Sequence, residues 1–185
     1  WSYGNSRQTG GPPRGGEKAV SESIWSKTAA LPERPALAGG LDVDAAVIGG
    51  GMAGVLTAHF LKAAGLRTVL LEASRVGGGQ TKNTTAKITS QHGLIYHRLI
   101  ERSGEEPARQ YADANQRAVA EYRRMVRELG IDCDFTEAPA YLYSTAEREP
   151  LAREFEAAKA LGIGAAYGSQ TELPFPVAAA LRFDG

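Results

Sequence analysis

The sequence predicts an α/β fold, and three observations predict it. A short apolar run at residues 43–49 enters a glycine-rich turn, residues 50–64 carry apolar residues at helical spacing, and residues 68–71 form a second strand-like run closed by Glu72. Strand, helix and strand within roughly 30 residues make one crossover unit, the connection that two parallel strands require. The first run lacks apolar–polar alternation, the pattern of a strand buried on both faces. In the helix, Val55, Leu56, Phe60 and Ala63 mark the apolar stripe and Gly65 marks the stop.

The turn between strand and helix reads Gly49-Gly50-Gly51-Met52-Ala53-Gly54, a G-x-G-x-x-G. Each glycine has a mechanical task. Gly49 allows the tight exit from the strand, Gly51 lets backbone approach a pyrophosphate, and Gly54 permits close packing of helix on strand. The first-turn amides and the helix dipole then favour phosphate charge. Glu72 lies 18 residues past Gly54, where a carboxylate can accept hydrogen bonds from ribose hydroxyls. Together these predict a Rossmann-type dinucleotide-binding βαβ unit over residues 41–72. The fingerprint does not separate NAD from FAD, although the acid argues against a 2′-phosphate.

Around this unit the chain divides by composition. Residues 1–40, rich in Gly, Pro, Ser and charge, are expected to be mobile or extended, with Ile24 and Trp25 plugging a hydrophobic spot. Past the Gly-rich stretch 76–80, helices are expected over residues 94–101 and 105–129. The second carries the stripe Ala108, Tyr111, Ala112, Ala118, Val119, Tyr122, Met125, Val126 and Leu129, with Ser103 as cap, Pro107 in the first turn and Gly130 as the stop. Residues 131–136 and 140–144 read as paired strands joined near Pro139. A helix follows over 147–161, stopped by Gly162, then a strand over 178–183. The expected organisation is a nucleotide-binding part with helical extension at 41–130, then the start of a smaller α+β substrate domain at 131–185. The ending Phe183-Asp184-Gly185 reads as a hairpin turn without its second strand, so the expectation is an incomplete fold, a piece of a longer protein.

Charge and composition narrow the partners. Lys and Arg number 21, as do Asp and Glu, and this zero balance gives no electrostatic reason to expect nucleic acid or an acidic membrane. No run approaches the roughly 20 apolar residues that span a bilayer. Cys133 is the one cysteine, so this chain alone offers no intrachain disulfide and no Cys-ligated zinc or iron–sulfur site. A cytoplasmic protein with no metal of its own is expected.

The segment after the fingerprint tips the choice of cofactor. Glu72-Ala73-Ser74-Arg75-Val76-Gly77-Gly78-Gly79, with the Thr-rich stretch behind it, resembles the flavin-contacting loop of the D-amino acid oxidase, glycine oxidase and sarcosine oxidase superfamily. Ser23-Ile24-Trp25, the run Asn83-Thr84-Thr85-Ala86-Lys87-Ile88-Thr89-Ser90-Gln91-His92-Gly93-Leu94-Ile95-Tyr96, and Tyr111-Ala112-Asp113-Ala114-Asn115 are similar to one bacterial branch, whose FAD-dependent oxidoreductases often carry a C-terminal Rieske [2Fe–2S] domain. The resemblance implies an extended FAD whose pyrophosphate meets Gly49, Gly51, Met52, Ala53 and Gly54, and whose adenosine ribose meets Glu72 and Ala73. It places Gly79, Gln80, Thr81, Thr84 and Thr85 along the flavin side, with the three threonines as contacts to the ribityl chain or ring. One departure is Lys82, where the family usually has Gly. A left-handed backbone there would be costly for lysine, so either the turn differs or the loop is strained.

By the same resemblance the reaction is oxidation of a C–N bond in an amine or amino acid, and electrons pass to a Rieske domain elsewhere in the protein. Lys87 and His92 are candidates for ring contact or proton transfer, while His59 and His97 read as helix-surface residues and Cys133 as an inert strand residue. Two other classes stay open, an NAD-dependent dehydrogenase and a non-catalytic nucleotide-binding module. A flavin-dependent tRNA-modifying enzyme shares the fold, but zero net charge speaks against it.

Overall fold

In the computed structural model, which describes residues 22–29 and 31–184, an ion pair clamps the open end of a parallel strand pair. Arg67 donates from its backbone N and its Nε to Asp44 Oδ2 at 2.9 and 3.1 Å, and from a terminal nitrogen to Oδ1 at 2.8 Å. The bidentate grip holds Asp44 well ionised, its carboxyl lowered first by the Arg67 side chain and then by the Arg67 amide. From there β1 (Ala45–Ile48) and β2 (Thr68–Leu71) run parallel, Ala45 opposite Thr68 and Ile48 opposite Leu71. Helix α2 (Met52–Ala63) makes the crossover, packing on both strands. It ends where Gly65 N reaches Lys62 O at 3.0 Å and Leu66 N reaches Leu61 O at 3.1 Å, bonds that satisfy carbonyls the helix would leave bare.

Two expectations about this unit are corrected. Ile48 is 87% exposed, so β1 is not buried on both faces, and Val55 and Phe60 are exposed rather than packed. A pair of four-residue strands with one helix covers a single narrow flank, and α2 turns positions 54, 56, 58, 59 and 61 to its half-buried side. The segment expected to be extended contains a short helix, α1 (Ile24–Thr28), with Ile24 61% and Trp25 38% exposed. Residues 1–21 and residue 30 of that segment lie outside the described residues.

The first compact unit ends at Thr85 and the second begins at Ala86, earlier than the composition change near residue 130 suggested. Helices α3 (Tyr96–Ser103) and α4 (Glu105–Glu128) therefore belong to the second unit, where α3 packs on both α4 and α5 (Glu149–Ala160). Gly104 takes the cap position of α4, and Ser103, expected there, instead ends α3. The sheet has the order β3 (Ala140–Ser144), β5 (Ala179–Phe183), β4 (Ala165–Gly168), antiparallel throughout. No strand forms over 131–136; Asp134 turns left-handed at φ 51° there, and β3 pairs with β5 instead. β4 was not foreseen, because Ala-Ala-Tyr-Gly carries no period-two apolar signal.

The core of this unit gathers Tyr96, Ala108, Ala112, Leu151, Ala158, Leu161, Leu181 and Phe183. Among them sits a fully buried acid, Glu154 of α5. Its Oε1 accepts from the amides of Ile95 at 3.0 Å and Tyr96 at 2.9 Å, and Oε2 from that of His97 at 3.1 Å, so α5 supplies the cap for the start of α3. His97 Nδ1 lies 2.7 Å from Oε2. Beside them Tyr96 donates to the Ser90 carbonyl, and burial pushes its phenol up. Removing the carboxylate strands several buried donors at once. We expect Glu154→Leu to cost about 3 to 5 kcal/mol, read as a lower urea midpoint at unchanged slope.

Candidate functional site

The fingerprint glycines and Glu72 meet at the junction of β1, α2 and β2. Gly49, at φ 103°, turns the chain sharply out of β1, a conformation that a side chain would oppose, and its amide closes the strand pair on Leu71 O at 2.8 Å. Gly54 is required for a different reason. A Cβ there would lie 1.9 Å from the Gly49 carbonyl oxygen, so helix and turn approach each other through its bare α-carbon. Gly50, the variable position of the fingerprint, is less tightly confined: an added Cβ would meet the Glu72 side chain at 3.0 Å and Val76 Cα at 3.1 Å, so those neighbours would have to give slightly. At Gly51 the same test finds only Thr81 Oγ1, at 3.6 Å, leaving the approach to the helix start open.

Glu72 holds the turn from the end of β2. Its Oε2 accepts from the Gly50 amide at 2.6 Å and its Oε1 from the Ser74 amide at 3.0 Å. These backbone donors, Gly50 first, hold the carboxyl below the ordinary carboxylate range, against a smaller desolvation effect. At the head of α2, Met52 N donates to Thr81 Oγ1 at 3.0 Å, while the amides of Ala53 and Gly54 find no acceptor among the described residues.

Residues 79–85 follow a path that differs from the expected one. Gln80–Asn83 form a 3-10 turn, so Lys82 sits in a right-handed backbone without strain, and the left-handed residue is Ala86 at φ 54°. Thr81 stands at the helix start. Thr84 Oγ1 bonds back to Thr81 O at 3.3 Å, and Ala73, Gly79, Gln80 and Thr85 are exposed.

The remaining candidates scatter. Lys87 and His92 are exposed residues of the second unit. His97, expected on the surface, is instead half-buried against Glu154 and borders a groove of about 560 Å³ with Ile100, Phe155 and Tyr167. The Glu154 partnership was missed because its members are 57 residues apart and no local spacing announces it. His59 is half-buried beside Phe60. Cys133 is exposed outside any strand. No His, Cys, Asp and Glu cluster suited to a metal occurs among the described residues.

Comparison with known proteins settles the family. Residues 44–182 match the family described as FAD dependent oxidoreductase, DAO. The chain belongs to this family. The match runs through both compact units, so the second is as much part of the DAO family sequence as the glycine turn. A relative from Bacillus subtilis (strain 168), named "Putative Rieske 2Fe-2S iron-sulfur protein YhfW", is 41% identical over 148 residues. Those residues are 79% of this chain and 29% of the relative, so the chain spans less than a third of that protein's length. The name agrees with the Rieske-associated branch that the Thr-Thr-Ala-Lys run resembles. Among the described residues no helix is long and apolar enough to cross a membrane.

Two outcomes test the geometry directly. Gly54→Ala must push helix from turn, and is expected to cost about 1 to 3 kcal/mol, seen as a lower melting temperature. Glu72 has a folded-state pKa below its unfolded one, so its stabilising effect is present above the unfolded value, about 4.3, and fades as pH falls through the folded value. The melting temperatures of the unmodified protein and Glu72→Gln are therefore expected to differ at neutral pH and to converge in acid.

Proposed function

We propose that this chain is the cofactor-binding part of an FAD-dependent oxidoreductase, its β1–α2–β2 unit being of the Rossmann type. One observation carries the reading: the Ala53 and Gly54 amides at the helix start have no acceptor among the described residues, and the Gly50 turn just before them is held by Glu72, an exposed acid whose carboxyl is lowered. Amides and helix dipole suit a pyrophosphate, and a carboxylate suits ribose hydroxyls. The open face of Gly51 gives the backbone room to approach. Thr81 fits the same end, because a hydroxyl that accepts from Met52 N still has a proton to donate to a phosphate oxygen. Ala73 borders the ribose side, and Gly79, Gln80, Thr84 and Thr85 lead toward the flavin. Membership of the DAO family favours FAD over NAD.

When bound, FAD supplies a two-electron acceptor, and the protein's part is to position the donor carbon. The substrate class we assign is an amine or amino acid, which loses hydride from carbon and a proton from nitrogen to become an imine. Lys87 and His92 are the polar candidates for the flavin side, and the second unit is the start of the substrate domain. The Rieske name of the relative supports a [2Fe–2S] domain as the electron acceptor, and the single unpaired cysteine suits the cytoplasm.

The test is the full-length protein, purified and examined for flavin. It is expected to be yellow, with a band near about 450 nm that bleaches anaerobically with an amine substrate. Glu72→Ala is expected to weaken FAD binding on the order of tenfold. A colourless protein that takes up NAD but not FAD would overturn the assignment.

A further inference from the structure

A five-residue helix has no stability of its own in water, since helices much shorter than about 12 residues are marginal even in favourable sequences. Yet α1 forms, and it forms in one place, against the 3-10 turn Gln80–Asn83. Three side-chain bonds explain this. Ser23 Oγ accepts from Trp25 N at 3.3 Å, capping α1, and the same hydroxyl donates to the Lys82 carbonyl. Trp25 Nε1 donates to the Thr84 carbonyl at 2.8 Å. Residues 59 positions apart thereby satisfy two loop carbonyls that the 3-10 turn itself leaves at its end.

The loop so held is not passive. Thr81, one residue before Lys82, carries the hydroxyl that receives the first amide of α2, and Thr84 Oγ1 bonds to the Thr81 carbonyl at 3.3 Å. Contacts therefore run unbroken from the indole of Trp25 through Thr84 and Thr81 to Met52, at the amide-bearing end of the helix. Burial alone does not explain the arrangement, because Ile24 is 61% exposed and Trp25 keeps 38% of its surface exposed. Direction does: an indole N–H and a hydroxyl fix where the loop's carbonyls point, which greasy contact would not.

We propose that Ser23 and Trp25 are positioning residues, a brace that fixes residues 81–84 and through Thr81 sets the helix start to receive the dinucleotide. The inference rests on the nucleotide reading of that helix start, but its mechanical half stands without any cofactor. Neither side chain touches the helix start in this account; both act through the loop.

The experiment uses the full-length protein and two readouts. Without cofactor, Trp25→Phe, which keeps a ring and removes the N–H, is expected to speed amide hydrogen exchange in the peptides covering 80–85 and the Met52 amide. With cofactor, Trp25→Phe and Ser23→Ala are each expected to weaken FAD binding about fivefold, the effect of one hydrogen bond, and Ser23→Thr, which keeps the hydroxyl, to restore it. In a Thr81→Val background the Trp25→Phe effect on affinity should largely vanish, because the path to α2 is already cut. Unchanged exchange in those peptides, or full additivity of Trp25→Phe with Thr81→Val, would overturn the brace. If the unmodified protein takes up no FAD while exchange still responds to Trp25→Phe, the nucleotide reading falls and the mechanical brace stands.

Discussion

The first unit depends on the bond from the Gly50 amide to the Glu72 carboxylate, 2.6 Å long. Two strands of four residues cannot by themselves fix the turn that leaves β1. Gly50 is held from both sides by the exit of β2: its N–H goes to Glu72 and its carbonyl accepts from Gly77 N at 2.8 Å. The direction of the next amides, at the head of α2, follows from that double hold. Fold and candidate site thus share one contact, because the acid proposed for the ribose is also the acid that holds the turn.

A second carboxylate in the chain shows what the same chemistry looks like when it serves structure alone. Glu154 is fully buried and meets three backbone amides, the Gln91 side-chain amide and His97, which is about as many partners as a carboxylate's lone pairs can take. Nothing remains for a ligand. Glu72 meets the Gly50 amide, Ser74 and little else, and it is exposed. The two acids share the habit of gripping backbone N–H groups near a helix start. They differ in saturation, and that difference marks one as a cap and the other as a candidate contact.

What the sequence revealed follows the range of each signal. The crossover unit was legible because its parts are contiguous: strand, three glycines, helix, Gly65 and Glu72 lie within one short stretch. Helices α4 and α5 and strand β5 were legible from period and stop residues. The misses needed information from far along the chain. Whether 140–144 pairs with 131–136 or with 179–183 is decided by Asp134 and by the partner strand, not by the run itself. The sequence assigns Gly50 no task, because its constraint comes from Glu72 and Val76. The partner of Trp25 lies 59 residues away, and an indole can bind by its N–H as well as by its face. Lys82 looked strained only on the assumption that the family's glycine turn is kept, and a 3-10 turn removes the need.

The distribution of charge completes the picture of the site. Arg67 and Arg75 flank β2 on either side, and each is paired with an acid, Asp44 at 2.8 Å and Glu33 at 2.5 Å. The donors proposed for the pyrophosphate are instead neutral: the amides of Ala53 and Gly54, and the hydroxyl of Thr81, whose oxygen accepts from Met52 N. Held by such donors, a pyrophosphate would be recognised by direction more than by net charge, because each amide must be aimed while an ammonium group acts at a distance. Aim is supplied by whatever fixes the loop and the turn. On the proposed reading the Gly50–Glu72 bond and the Trp25–Thr84 bond therefore have one job in common, since both hold neutral groups in the orientation on which binding without cations depends.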